Sequence, residues 1–263
     1  MNSVLEVRGL TKRYGDFVAV DSLSLEVGRG ELFALLGTNG AGKTTTLRML
    51  MGILRASAGS ARITGLDCFA DRVEVKRRVG YLPDEPAFQD YLRGRELVRF
   101  VGHMHGLASS EIERRAAPMV EQLSLGDALD EFAVNYSRGM KKKLALVCAL
   151  LHEPALLILD EPTSGLDPVA MRRLNELLLA RVSQGMTVLL SSHQLDHVQA
   201  LCDRVAILSS GRLAAVGTLA ELRAQASAES SLEEIFFAIN DGTALTLEIR
   251  DVEHEPRVGD HEP

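Results

Sequence analysis

The stretch ELFALLGTNGAGKTTTLRML, residues 31–50, runs an apolar segment straight into a glycine-rich turn and then into a helix-forming run. The turn comprises Gly37, Thr38, Asn39, Gly40, Ala41, Gly42, Lys43 and Thr44, and fits the spacing G-x-x-x-x-G-K-[ST], with Thr45 continuing it. Glycines at these positions let successive backbone N–H groups converge on phosphate oxygens. Lys43 is then placed to reach the β- and γ-phosphates of a nucleotide, and Thr44 to ligate Mg²⁺. A glycine turn can match this spacing by chance. A strand before it and a helix after it supply the context that the chemistry needs.

That context also restricts the fold. A strand that feeds a helix through a short loop belongs to a largely parallel sheet, covered on both faces, with ligands beyond the strand carboxyl ends. The rest of the chain agrees. VLEVRGL and FVAVDSLSLEV, before the loop, read as an N-terminal antiparallel β region, and the helix after the loop is expected to end near Gly52. From about residue 85 to 150 the pattern turns helical. Leu97, Phe100, Val101 and Met104 recur at helical spacing, followed by Ile112, Ala116, Met119, Val120 and Leu123. Ser110 and Glu113 suggest a capping box for the second of these helices, and Pro118 a kink or break within it.

Strand-helix alternation then resumes through ALLILDEP, a helix over about 168–184, TVLLSSH, LDHVQALC, RVAILSSG and RLAAVG. The expected class is α/β, with an inserted helical subdomain in a domain covering 1–220. Residues 221–263 are expected to hold a helix at SLEEIFFAI, a weak strand pattern at LTLEI and a flexible acidic end.

The chain has 263 residues, 46% of them hydrophobic and 25% charged, and a formal charge of −7, so net charge gives nucleic-acid binding no support. Its three cysteines, Cys68, Cys148 and Cys202, lack zinc or disulfide spacing, which fits a reducing compartment. The N-terminus has no signal-peptide pattern, and the most apolar run, LALVCALLHEPALLILDEP, is interrupted before it could span a bilayer. A role at a membrane would therefore require a separate membrane partner.

ALLILDEP places Asp160 and Glu161 at the end of an apolar strand, where two carboxylates are costly unless a metal and a water compensate. Asp160 suits Mg²⁺, as a direct ligand or through water. Glu161 suits orientation or activation of an attacking water. His193, at the end of TVLLSS, should reach the same crevice, whereas His103, His105, His152 and His197 carry no comparable argument. NYSRGMKKKLAL poses a separate problem. It sets Lys141, Lys142 and Lys143 in the first turn of a helix, where the backbone dipoles disfavour cations by roughly 0.3–1 kcal/mol each.

In this order GTNGAGKTT, YSRGMKKKL, LLILDEP, SGLD and SSH resemble the phosphate loop, signature, Walker B, D-loop and switch-histidine segments of an ATP-binding cassette (ABC) ATPase. The resemblance covers roughly residues 3–220. It implies a P-loop NTPase core, ATP and Mg²⁺ as ligands, and two cassettes paired head to tail. Ser137 and Gly139 match the positions that contact the partner cassette's γ-phosphate, and the adjacent lysines would then lie near triphosphate charge. Tyr14 matches the aromatic that stacks on adenine, Asp167 the residue that crosses the dimer interface, and Asp84 the position of a glutamine that links Mg²⁺ and the attacking water to the transporter. Asp84 could hold Mg²⁺ in its place. Arg138 and Met140 depart from the Gly and Gln of the family signature.

The implied function is that of an ATP-hydrolysing subunit on the cytoplasmic face of the membrane, paired with a second ABC subunit. It would power transport, with a lean to export, through a separate integral permease. The main alternative is a soluble ABC ATPase of translation or DNA repair, but such proteins typically carry two cassettes or a long coiled-coil insertion. A nucleotide kinase or GTPase would leave the signature segment unexplained, and a non-hydrolysing regulatory cassette would not need Lys43, Glu161 and His193.

Overall fold

The computed structural model describes residues 3–226 and 231–241. Its strands are β1 (Ser3–Tyr14), β2 (Phe17–Gly28), β3 (Leu32–Gly37), β4 (Ala58–Ile63), β5 (Leu66–Asp67), β6 (Val79–Leu82), β7 (Leu156–Asp160), β8 (Thr187–Ser192), β9 (Arg204–Ser209) and β10 (Arg212–Thr218). Its helices are α1 (Lys43–Leu50), α2 (Arg72–Arg78), α3 (Gly94–Met104), α4 (Ser109–Gln122), α5 (Arg138–Leu150), α6 (Pro168–Ser183), α7 (Leu195–Leu201), α8 (Leu219–Ala226) and α9 (Leu232–Asp241).

The central sheet has the order β10-β9-β3-β8-β7-β6. Every neighbouring pair from β9 to β6 is parallel, and only the β10 edge is antiparallel. Each parallel strand is apolar on both faces, as a sheet covered on two sides requires. In β3, Leu32, Ala34 and Leu36 point into one core, while Phe33 and Leu35 point into the other. β7 alternates in the same way, with Leu157 and Leu159 on the first side and Leu156 and Ile158 on the second. The first core is closed by α3–α9. The second is closed by α1, Val75 of α2 and the antiparallel sheet β2-β1-β4-β5.

Within the helical subdomain Gly102 allows α3 to approach α4, because a Cβ there would lie 2.4 Å from Cγ1 of Ile112. Several local expectations are corrected. α3 is rotated relative to its apolar pattern, burying Leu97 and Val98 while leaving Phe100 58% and Met104 73% exposed. α4 begins at Ser109 with Ala108 as its cap, so the Ser110–Glu113 box does not form. Pro118 lies inside α4 without ending it; the loss is confined to one backbone bond. The short elements β4, α2 and β6 were not evident from periodicity, and α2 buries only Val75. LTLEI and the acidic end lie outside the described residues.

All three cysteines are buried and free, and burial pushes the Cys68 and Cys148 thiols up to about 12. Among the described residues no helix is long and apolar enough to cross a membrane.

His105, at the end of α3, stacks on His152 beyond α5 with ring centroids 3.8 Å apart. Burial pushes His152 from its ordinary 6.5 down to about 4 and also lowers His105. As pH falls, the unfolded chain therefore takes up this proton before the folded one does. The contribution of His152 to stability is complete above pH 6.5 and is lost as pH falls toward 4. His152→Phe keeps a stacking ring without the titration. Urea midpoints measured from about pH 7 to pH 5 should decline less steeply for this variant than for the parent chain. Identical slopes would remove His152 from the acid response.

Candidate functional site

The parallel register brings four loop segments to one edge of the sheet. β8 lies between β3 and β7, and β6 lies beyond β7, so the ends of these strands carry Gly37, Ser191, Asp160 and the segment leading to Asp84 side by side. A cavity of about 280 Å³ opens there, lined by Phe17, Ala19, Thr38, Asn39, Gly40, Gly42, Lys43, Thr44, Thr45, Asp84 and Glu161. Most of the predicted phosphate loop forms its wall.

The loop conformation requires its glycines. Gly40 and Gly42 have φ of 83° and 100°, and a Cβ on Gly42 would come within 2.6 Å of the Ala19 carbonyl. Gly42 also sits at the N-terminus of α1, an end that attracts anions. Ala41 is buried and its N–H donates to the Thr38 carbonyl, closing the turn. Lys43 is 6% exposed. Its Nζ donates to the carbonyls of Gly37 at 2.7 Å and Thr38 at 3.2 Å, and lies 3.3 Å from Oε1 of Glu161.

Asp160 and Glu161 are both buried. Thr44 Oγ1 donates to Oδ1 of Asp160 at 3.2 Å, and Ser191 Oγ donates to the same oxygen at 2.6 Å. Ser191 Oγ also accepts the Glu161 N–H at 3.0 Å. Oε2 of Glu161 is 2.9 Å from Nδ1 of His193, whose side chain is about half exposed. Oε1 is buried and has no hydrogen-bond donor, so its contact with Lys43 is one of charge alone. Glu161 has φ 46°, a left-handed backbone that costs a non-glycine residue roughly 1–3 kcal/mol and persists only when its surroundings fix it.

The other predicted residues fall elsewhere. Tyr14 pairs with Phe17 across the β1–β2 hairpin and carries the Lys12 ammonium 5.0 Å over its ring. Phe17, which was not singled out in the sequence, is the aromatic that lines the cavity. Ser137 caps α5 by accepting the Met140 N–H at 3.2 Å. Gly139 lies against the Gly165 carbonyl, 3.1 Å from where its Cβ would be. Neither Ser137 nor Gly139 lines the cavity of its own chain. Asp167 caps α6 through the Ala170 N–H at 2.9 Å, a bond that lowers its pKa.

Asp84 and Lys142 are bound to each other. Asp84 reaches the cavity wall, but its Oδ1 is paired with Arg138 at 3.1 Å and Lys142 at 3.2 Å. An Mg²⁺ ion at Asp84 would compete with these two cations for Oδ1. Lys142 points inward and is 1% exposed. Its charge is met within its own chain, by Asp84 and the Glu161 carbonyl. Burial lowers its pKa, with Asp84 opposing.

The donor set fits Mg²⁺. Thr44 and Asp160 supply hard oxygens at the phosphate loop, and Mg²⁺ is commonly held by one or two carboxylates together with substrate phosphates. Among the described residues no cluster of His, Cys, Asp and Glu forms a separate metal cage.

Ser191 was not evident as a site residue, because a serine at a strand end carries no motif. Removing its hydroxyl leaves the Glu161 N–H without its partner and deprives Asp160 of a donor. Ser191→Ala should therefore lower stability in urea unfolding by about 1–3 kcal/mol, whereas an unchanged midpoint would mean that water replaces the hydroxyl.

Comparison with known proteins gives the same assignment. Residues 20–164 match the family described as ABC transporter. The linearmycin resistance ATP-binding protein LnrL of Bacillus subtilis is 33% identical over 259 residues, covering 98% of this chain and 83% of LnrL. The daunorubicin/doxorubicin resistance ATP-binding protein DrrA of Streptomyces peucetius is 38% identical over 219 residues, covering 83% of this chain and 66% of DrrA. A solved structure of the ATP binding subunit of an ABC transporter superposes with a TM-score of 0.86 at 35% identity, covering 90% of this chain and 99% of that one. The chain belongs to the ABC transporter family and is one of its ATP-binding, ATP-hydrolysing subunits.

Proposed function

We propose that this subunit binds Mg²⁺-ATP between two cassettes and uses its hydrolysis to drive export through a separate integral permease, to which it is bound at the cytoplasmic face. The observation that carries the reading is the position of Glu161, whose carboxylate lies between Lys43 and His193 at the wall of the phosphate-loop cavity. Both of the relatives named above are resistance ATP-binding proteins, which supports the direction of transport.

In this reading the triphosphate occupies the N–H groups of residues 38–45 and draws Lys43 away from the Gly37 and Thr38 carbonyls. Lys43 then leaves Oε1 of Glu161. That oxygen, with no other donor, becomes free to accept a proton or a hydrogen bond from the attacking water. His193 holds Oε2 and fixes the orientation of the carboxylate. Thr44 and Asp160 hold Mg²⁺, whose contribution is to neutralise phosphate charge. Phe17 and Tyr14 form the hairpin end beside the nucleotide. Ser137 and Gly139, outside the cavity of their own chain, act on the nucleotide of a second cassette, and Asp167 lies at that interface.

Glu161→Gln keeps the shape and removes the charge. ATP binding should be retained, turnover should fall by about 100-fold or more, and a dimer should accumulate with ATP and Mg²⁺ in size-exclusion chromatography. Hydrolysis at the parent rate would overturn the assignment of Glu161.

A further inference from the structure

Lys142 lies one helical turn beyond Arg138 on α5, and both side chains grip Oδ1 of Asp84. Its ammonium also donates to the main-chain carbonyl of Glu161, which accepts the Ser164 N–H as well. Among residues that are fully buried, Lys142 is one of the largest. It lines a small cavity together with Leu82, Leu146, Pro162 and Leu166. A lysine is rarely buried so completely unless its charge is met.

The three residues joined here, Asp84, Lys142 and Glu161, come from three different parts of the fold. Asp84 follows β6 on the way into the helical subdomain, Lys142 belongs to α5 within that subdomain, and Glu161 directly follows β7 of the central sheet. The Glu161 peptide groups are thus held from both sides. Ser191 of β8 accepts from the N–H, and Lys142 donates to the carbonyl. These two bonds hold the left-handed φ of 46°, a conformation that needs such support.

We propose that Lys142 is a positioning residue for hydrolysis. By bonding the Glu161 carbonyl, with Asp84 as its counter-ion, it sets the backbone from which the Glu161 carboxylate is aimed, and so links the placement of the helical subdomain to the catalytic strand. The proposal rests on the role assigned to Glu161. A rotation of the subdomain that shifts α5 would move this donor and re-aim the carboxylate without any direct contact with nucleotide. Displacements of about 1 Å in a reacting group can cost on the order of 100-fold in rate.

The test is steady-state ATPase kinetics of the full chain for Lys142→Met, which keeps the length and volume of the side chain without its charge or donors, and for Lys142→Arg, which keeps both. The Met variant should lose about 10- to 100-fold in kcat while its KM and ATP affinity stay near those of the parent, and the Arg variant should recover part of the loss. In a Glu161→Gln background, Lys142→Met should cause little further loss, because both changes act through one group.

A normal kcat for the Met variant, or equal losses of kcat and ATP affinity, would overturn the proposal. So would an undiminished second loss in the double variant. Parent-like turnover by Glu161→Gln alone would overturn the Glu161 assignment itself, an outcome that the Lys142 variants cannot mimic. If Lys142→Met does not fold, Lys142→Gln, with a neutral donor, should show the same selective fall in kcat at a smaller size, and a parent-like kcat there would overturn the proposal equally.

Discussion

Glu161 is held in a backbone conformation that a glutamate does not choose, and the site is organised around what holds it there. Its N–H is taken by Ser191, its carbonyl by Lys142 and Ser164, one carboxylate oxygen by His193, and the other lies against Lys43. These partners come from β8, α5, the turn after β7, the segment after β8 and the phosphate loop. No local sequence preference could assemble them. The parallel register does so, by placing β8 between β3 and β7 with Ser191 level with Asp160.

The same packing accounts for Lys142. α5 begins at Arg138, so Lys142 and Lys143 lie past the first turn in which the sequence pattern set them, where the backbone dipoles weigh little. Lys142 has its buried charge met internally, by a carboxylate and a carbonyl inside its own chain. Arg138, which departs from the family's usual glycine, joins it on Asp84, and its stem packs on Gly165, 3.1 Å from where a Cβ there would be. Two departures from the usual motifs, Arg138 and Asp84, are thus halves of one ion pair.

Chemistry tied to the backbone was legible in the sequence. The spacing of Gly37, Gly42 and Lys43 encodes a turn, and an apolar run ending in Asp160 and Glu161 encodes a strand with carboxylates at its tip. The two cores could likewise be read from β3 and β7, where every residue is apolar until the strand ends. Features that depend on side-chain direction were hidden. Ser191 and Lys142 look like any strand serine and any helix lysine until the neighbouring element is in place, and Phe100 and Met104 fit an apolar face that α3 turns outward. β4 and α2 bury too few residues to leave a periodic trace, and β6, though mostly buried, is too short to show one.

The central claim is that nucleotide replaces Glu161 as the partner of Lys43 and so frees the carboxylate for the attacking water. A crystal structure of the full chain with Mg²⁺ and a non-hydrolysable ATP analogue tests this directly. Nζ of Lys43 should have left Oε1 of Glu161 and the Gly37 and Thr38 carbonyls for phosphate oxygens, with His193 still on Oε2. An analogue bound in the cavity while Lys43 and Glu161 remain in contact would contradict the account.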